Sequence, residues 1–417
     1  LVPSLVGDSL TGPGQAIEFT QPEGNVVLLR YSELYAYDAG GESLPARMEL
    51  SGCGRQTRSG SCDLRLVIDV ARARYPLTID PLITRPAWTA VGEDPSATFG
   101  YHIAPAGDVN ADGYADLVVG AWRYDGHRGK AYVYHGSPAG LGDQAAWTAT
   151  GESTGDRFGE SVATAGDVNA DGYADLVVAV PQSETPFDNA GEVHVYHGSP
   201  AGLAGSPAWT AVGEAAWDYF GRSVATAGDL NGDGFADLVV ATPEKGSQGG
   251  KAYVYYGSPA GLTTGDADWT AVGYKANVYF GTTAGTAGDV NGDGYDDLVV
   301  AAPNHDDAGP NSGTVYVYHG SPTGLEQPEP PATNPVADWE ATGEAEGHQF
   351  GRDAATAGDV NGDEFADLVV GAPDYDGDRG KVYVYHGSPL GLADTPAWTA
   401  IGENAGDKFG LSVATAG

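Results

Sequence analysis

Apolar positions follow two strand-like patterns through most of the chain. Asp175–Val180, DLVVAV, holds a continuous apolar run rich in valine, as expected for a strand buried on both faces. Glu192–Gly198, EVHVYHG, alternates apolar and polar positions and stops at Gly-Ser-Pro, a turn signal. Before these come WTATG (147–151), short and bounded by glycine, and FGESVATAG (158–166), with small, partly alternating residues. No stretch carries a convincing 3.6-residue apolar stripe, so the pattern predicts four short strands per unit.

The unit repeats. Its Trp recurs at Trp88, Trp147, Trp209, Trp269, Trp339 and Trp398, at intervals of 59, 62, 60, 70 and 59 residues. The long interval holds a proline-dense insert, EQPEPPATNPVAD (Glu326–Asp338), which reads as an extended surface loop. Four short strands every ~60 residues, each set too small to stand alone, read as blades of an all-β propeller. Separate sandwich domains are the alternative, but the units are short for that and too alike. The FG strand is expected innermost, with the WTA strand of the following unit completing each blade. Five blades are then complete and the Trp88 strand is left over. Phe409–Gly417 repeats the stretch before each GDVN, so the chain is expected to continue into a sixth loop, with the Trp88 strand closing the ring on the last blade. Residues 1–86 differ. AIEFT, NVVLLRYS, ELYAYD, ARMEL, LRLVIDV and YPLTID alternate between Gly/Asp turns and predict a small β-rich, sandwich-like domain ahead of a propeller at 87–417.

Composition narrows the partners. Gly 63 and Pro 26 oppose an all-α protein, while 8 Trp, 23 Tyr and 10 Phe can build a core. Twenty basic against 57 acidic residues give −37, which disfavours nucleic acid and anionic lipid and favours cations. No apolar run is long enough to span a membrane. Leu1 is not an initiator Met, so the start is expected to be processed or truncated. Cys53 and Cys62 share one Gly/Ser-rich stretch, SGCGRQTRSGSC, and read as a hairpin disulfide or as free thiols. A disulfide would place the protein outside the reducing cytosol.

Each unit carries one nine-residue acidic loop. The first has Asp108, Asn110, Asp112, Tyr114 and Asp116 at positions 1, 3, 5, 7 and 9. The others repeat this with Asp167, Asn169, Asp171, Tyr173, Asp175; Asp229, Asn231, Asp233, Phe235, Asp237; Asp289, Asn291, Asp293, Tyr295, Asp297; and Asp359, Asn361, Asp363, Phe365, Asp367. Side-chain oxygens at 1, 3, 5 and 9 and a backbone carbonyl at 7 make a cage for a hard cation taking six to eight oxygens, hence Ca²⁺. About five sites are expected. Position 6 is Gly in four loops, for a sharp turn, and Glu364 in the fifth. Metal-free Asx turns are the bland alternative. The loops are not EF-hands: position 12 is Val119, Val178, Val240, Val300 or Val370, where a bidentate Glu would be needed.

FG, then GDVNGDG, then GAP or a near variant resembles the FG-GAP repeat over residues 87–417. That resemblance implies the seven-bladed propeller of integrin α chains and of secreted or surface bacterial proteins, with Ca²⁺ held between the first and second blade strands at the positions named. LRYSELYAYDAGGESLPARMEL…YPLTIDPLI is similar to a domain that precedes such propellers in bacterial proteins. No RGD and no inserted domain of integrin size is present, so the scaffold is implied rather than integrin function.

Catalytic motifs are missing: there is no HExxH or GxSxG, and GSQGGK (Gly246–Lys251) lacks P-loop spacing. His135, His197, His319 and His386 recur in YHGS and read as packing or capping groups. The expected function is a non-enzymatic, extracellular calcium-stabilised propeller that binds protein or glycan at the cell surface. The alternatives are a lectin-like propeller with sugar sites between blades, or the non-catalytic part of a larger secreted hydrolase or lyase. Ligands are expected on the face opposite the calcium loops, where aromatic residues escape the repeat: Trp122, Tyr124, Trp217, Tyr219, Tyr274 and Tyr279.

Overall fold

The computed structural model describes residues 88–244, 249–273, 275–327 and 336–415, and six backbone strands before them. Two compact units emerge, Leu1–Ala90 and Val91–Gly417. In the first, strands Val2–Val6, Ala16–Thr20, Val27–Tyr37 and Thr78–Ile83 form one antiparallel sheet in that order. Ala46–Ser51 and Asp63–Ile68 form a second, two-stranded one. The segments read separately as NVVLLRYS and ELYAYD run together as one strand, and Val2–Val6 was missed. Cys53 and Cys62 lie outside the described residues.

The second unit contains five four-stranded antiparallel sheets, each in simple sequence order. The first sheet takes His102–Gly107, Asp116–Ala121, Lys130–Tyr134 and Trp147–Thr150. The FG strand comes first and the WTA strand fourth in all five, as the repeat predicts. First strands of successive sheets lie side by side, and the architecture is that of propeller blades. Residues 88–90 form no strand, so the predicted Trp88 strand is absent here.

Burial explains the composition of each strand. The second strands of sheets two to four, such as Asp175–Val180, are buried along their whole length because a neighbouring sheet covers each face; that of the fifth, Asp367–Ala372, is equally buried, with Gly410 packed on Gly371. Each hydrophobic cluster joins two consecutive sheets; one runs from Val239 and Val254 to Leu298 and Tyr318. The repeated Trp is the buckle. Trp147, Trp209, Trp269 and Trp339 meet Tyr196, Tyr255, Tyr318 and Tyr385 of the next sheet edge to face, with ring centroids 4.9–5.0 Å apart. Their indole N–H groups donate to backbone carbonyls of that same sheet's turn, at Ala204, Thr263, Glu326 and Ala393. The FG phenylalanines Phe158, Phe220, Phe280 and Phe350 are 1–3 % exposed and seal the opposite ends of the blades.

Candidate metal centres

Each acidic loop joins a first strand to a second, and a register shift precedes it. In the first sheet the shift falls between Pro105 and Gly107. Gly107 has φ 78, and a Cβ there would lie 2.4 Å from the Cβ of Ala174, so only glycine fits.

Inside the loop, side-chain oxygens gather the backbone. Asp108 accepts from the N–H of Asp112 (3.0 Å) and of Gly113 (2.7 Å). Asn110 Oδ1 accepts from Asp112 N–H at 3.0 Å, and Asp112 Oδ1 from Tyr114 N–H at 3.0 Å. The second, third and fourth loops repeat all four bonds. The fifth keeps the Asp359 and Asp363 bonds, but the Asn361 oxygen has no counterpart to the bond made by Asn110. Position 6 needs a left-handed backbone everywhere: φ is 88 at Gly113 and 74 at Glu364, as the sequence predicts for this odd loop. Position 4 is also left-handed, even where it is Ala111 or Ala170, both at φ 52. Sequence reasoning missed that constraint; Gly at this position in three loops was the available signal.

Position 9 has a second role. Asp116, Asp175, Asp237, Asp297 and Asp367 are 0–3 % exposed. Each accepts one N–H from its own loop and one from the turn after the third strand: Asp237 takes Leu230 N–H at 2.8 Å and Gly257 N–H at 2.9 Å. It ties the loop to the rest of the blade. Burial, with the neighbouring loop carboxylates adding to it, pushes Asp237 and Asp297 up to about 7. Burial pushes Asp175 up to about 6.

The donor set fits a hard cation. Among the described residues no loop carboxylate pairs with Lys or Arg, although the ion pairs of this unit engage acids elsewhere, such as Glu93, Glu160, Glu214 and Glu344. A carboxylate oxygen that accepts one N–H keeps a free lone pair. Among the described residues no group of three or more His, Cys, Asp or Glu is drawn together as a metal site, so the three Asp of each loop do not converge here and it is the donor chemistry that suits the cation. In the first loop the residues to hold Ca²⁺ would be Asp108, Asn110, Asp112, Asp116 and the carbonyl of Tyr114, with the same positions in the other four. The ion would supply the positive charge these clustered acids lack.

Adjacent loops brace one another. The Asp108, Asp167, Asp229 and Asp289 carbonyls accept from the N–H of Ala174, Ala236, Asp296 and Ala366 in the next loop, at 2.9–3.1 Å. The ring of Tyr295 lies where a Cβ on Gly232 would be, and Phe365 does the same at Gly292. The position-7 aromatic thus packs on the loop before its own. Two of the four YHGS histidines lie against loop asparagines: His135 Nδ1 is 3.3 Å from Asn110 Nδ2, and His197 Nδ1 equally close to Asn169 Nδ2, whereas His319 Nδ1 lies 3.9 Å from Asp338.

The six aromatic ligand-face residues part company. Trp217 is 56 % exposed, with Tyr219 half-buried beside it at 6.2 Å between rings, while Tyr124 and Tyr279 are half-buried. Trp122 is only 7 % exposed. Arg123 and Arg157 lie 4.5 and 4.6 Å from its ring centroid, which makes it a packing residue rather than a free anchor. Tyr274 lies outside the described residues, as does the first half of GSQGGK; Lys251 at its end pairs with Glu214 at 2.8 Å.

Five segments, residues 99–134, 158–196, 220–255, 280–318 and 350–385, match the FG-GAP repeat, one per sheet. The second unit is an integrin α-like FG-GAP propeller. Integrin alpha-7 of Rattus norvegicus is 36% identical over 156 residues, covering 36% of this chain and 13% of that protein. Integrin alpha-V of Gallus gallus is 32% identical over 234 residues, 54% of this chain and 21% of that protein. Integrin alpha-PS2 of Drosophila melanogaster is 35% identical over 190 residues, 43% and 12%. The similarity therefore spans about a fifth or less of each relative's length. Among the described residues no helix is long and apolar enough to cross a membrane.

Proposed function

We propose that the chain is a non-enzymatic, calcium-stabilised propeller that works outside the cytosol and binds protein or glycan in adhesion. The observation that carries this reading is the set of acidic loops, three carboxylates in each, that repeats in five blades without a basic partner. A surface of −37 would otherwise destabilise the fold by self-repulsion. Similarity to integrin α chains supports the adhesive role. We further propose that residues 1–86 form a separate small β-domain that precedes the propeller. Ligand binding belongs to the face opposite the calcium loops, because those loops are nearly identical and the loops at the other ends of the strands differ in length and chemistry.

Scanning calorimetry in calcium, in magnesium and in EDTA tests the first point. Calcium should raise the melting temperature strongly and magnesium poorly; an unchanged melt in EDTA, with no calcium uptake by titration, would sink it. For the second point, alanine replacement of Tyr124, Trp217 and Tyr219 should abolish ligand binding and spare the calcium-dependent melt. Loss confined to variants beside the acidic loops would move the site to the calcium face.

A further inference from the structure

The first strands run toward the calcium loops, and their opposite ends surround a cavity of about 560 Å³. Every sheet contributes. His102, Ser223, Thr283 and Asp353 line it from four of the first strands, and Ser161 from the residue just before the other, Val162–Gly166, so the cavity is the axial mouth of the propeller on the face away from the acidic loops.

Its wall is polar, and most of its acids are already engaged. Glu160 is 6 % exposed and pairs with Arg222 at 2.6 Å and with Arg157 at 3.5 Å. Asp353 accepts from Val413 N–H at 2.9 Å, from Ala354 N–H at 3.1 Å and from Thr283 Oγ1 at 3.4 Å. Exposed Glu244 is the lining carboxylate with an open acceptor. On the basic side, Arg352 lines the cavity, is exposed, and has no carboxylate partner among the described residues. His102 accepts Val162 N–H at Nδ1, and burial lowers its pKa, so its Nε2 carries a proton to donate. Tyr101, 58 % exposed, and Tyr279 offer ring faces on the same wall.

We propose that this axial mouth binds a carboxylated sugar. An unpaired guanidinium matches a carboxylate in planar, bidentate geometry. Ser161, Ser223, Thr282 and the open Glu244 carboxylate match sugar hydroxyls, and tyrosine rings suit the apolar face of a pyranose. The volume lies within the ordinary range for small-ligand sites. The wall lacks the large apolar surface that a hydrophobic ligand would need. Trp122 gains a role here as well. Held between two arginines, it fixes Arg157, which steadies Glu160, which in turn orients Arg222 at the mouth.

This proposal rests on the reading that ligands bind the face opposite the calcium loops. It is tested with the full chain in calcium, titrated calorimetrically with D-glucuronate, N-acetylneuraminate, D-glucose and the peptide Gly-Asp-Gly, alongside the melt in calcium and in EDTA. One of the two sugar acids should bind at least tenfold tighter than glucose and tighter than the peptide. Arg352→Gln, which disturbs no described ion pair, should reduce that affinity roughly tenfold or more, since a hydrogen bond to a charged group is worth about 1.5–3 kcal/mol. Its calcium-dependent melt should stay as in the parent. Overturning results are no sugar-acid binding, equal affinity for glucose, tighter binding of the peptide, or binding indifferent to Arg352→Gln. A melt insensitive to calcium would instead count against the calcium-stabilised scaffold, and the sugar titrations would still decide the axial site.

Discussion

Position 9 of the acidic loops can serve two purposes, and two substitutions in the third loop separate them. Asp233 is exposed and its side chain accepts from the amide of Phe235. Asp233→Asn should leave the melt in EDTA nearly unchanged and remove the calcium increment of that loop. Asp237 is fully buried and holds two backbone amides. Asp237→Asn turns an amide group toward one of those N–H donors, so it should lose about 1–3 kcal/mol even in EDTA. Chemical denaturation of both variants with and without calcium checks this; equal losses in EDTA would deny position 9 its structural role. The fifth loop should be the weakest calcium site of the five, or nearly so. Glu364 holds φ 74, which costs a non-glycine residue roughly 1 kcal/mol. Glu364→Gly should tighten calcium there up to several-fold, and weaker binding would refute the strain. His305, 2 % exposed, supplies a pH signal. Burial lowers its pKa, so the folded chain disfavours the imidazolium. Its contribution to stability is therefore complete above about pH 6.5, the ordinary histidine value, and is lost as pH falls toward the depressed folded value. His305→Gln should flatten the fall in stability between pH 7 and 5, measured by urea unfolding at each pH; an unaltered slope would assign the acid sensitivity to other groups.

At the scale of elements, the blade is incomplete alone and the Trp buckle fastens it to its neighbour. Trp269 is 1 % exposed, bonded through its indole to Glu326 and packed on Tyr318. Trp269→Ala should cost about 3–5 kcal/mol, as for other buried aromatics. Trp398 holds the same place in its unit but is 52 % exposed. Trp398→Ala should cost well under half as much, as surface changes do. Comparable losses for the two in denaturant titrations would show that the tryptophans act within their own sheets and not between them. The backbone bonds from each acidic loop to the next follow the same logic, since a loop ordered by calcium presents a fixed carbonyl to its neighbour.

For the whole molecule, the proposed calcium sites would link charge to metal. At ten times Kd each proposed site would add roughly 1.4 kcal/mol, so five sites unfolding together would add about 7 kcal/mol, a large share of an ordinary domain's stability. Without calcium the −37 must be screened by salt. Raising NaCl from 0.05 to 0.5 M in EDTA should therefore raise the melting temperature. The same change in saturating calcium should do so much less. A salt response unaffected by calcium would mean the acidic loops do not carry the repulsion.

The sequence by itself determined the blades, their strand order and the acidic loops, because each rests on local chemistry repeated every ~60 residues: a β-branched run, a glycine turn, oxygen side chains at fixed spacing. The left-handed backbone at Glu364 was legible for the same reason. Tertiary structure decided what depends on neighbours in space. Trp122 reads as a surface anchor in the string WRYDGHR, and arginines from two loops bury it. Asp237 reads as one side-chain ligand among four, and a turn twenty residues away makes it a tie as well. The axial mouth has no sequence signature, since its wall is assembled from residues of all five blades. Spacing along the chain records what a segment can form; which charges meet is settled only when the sheets pack.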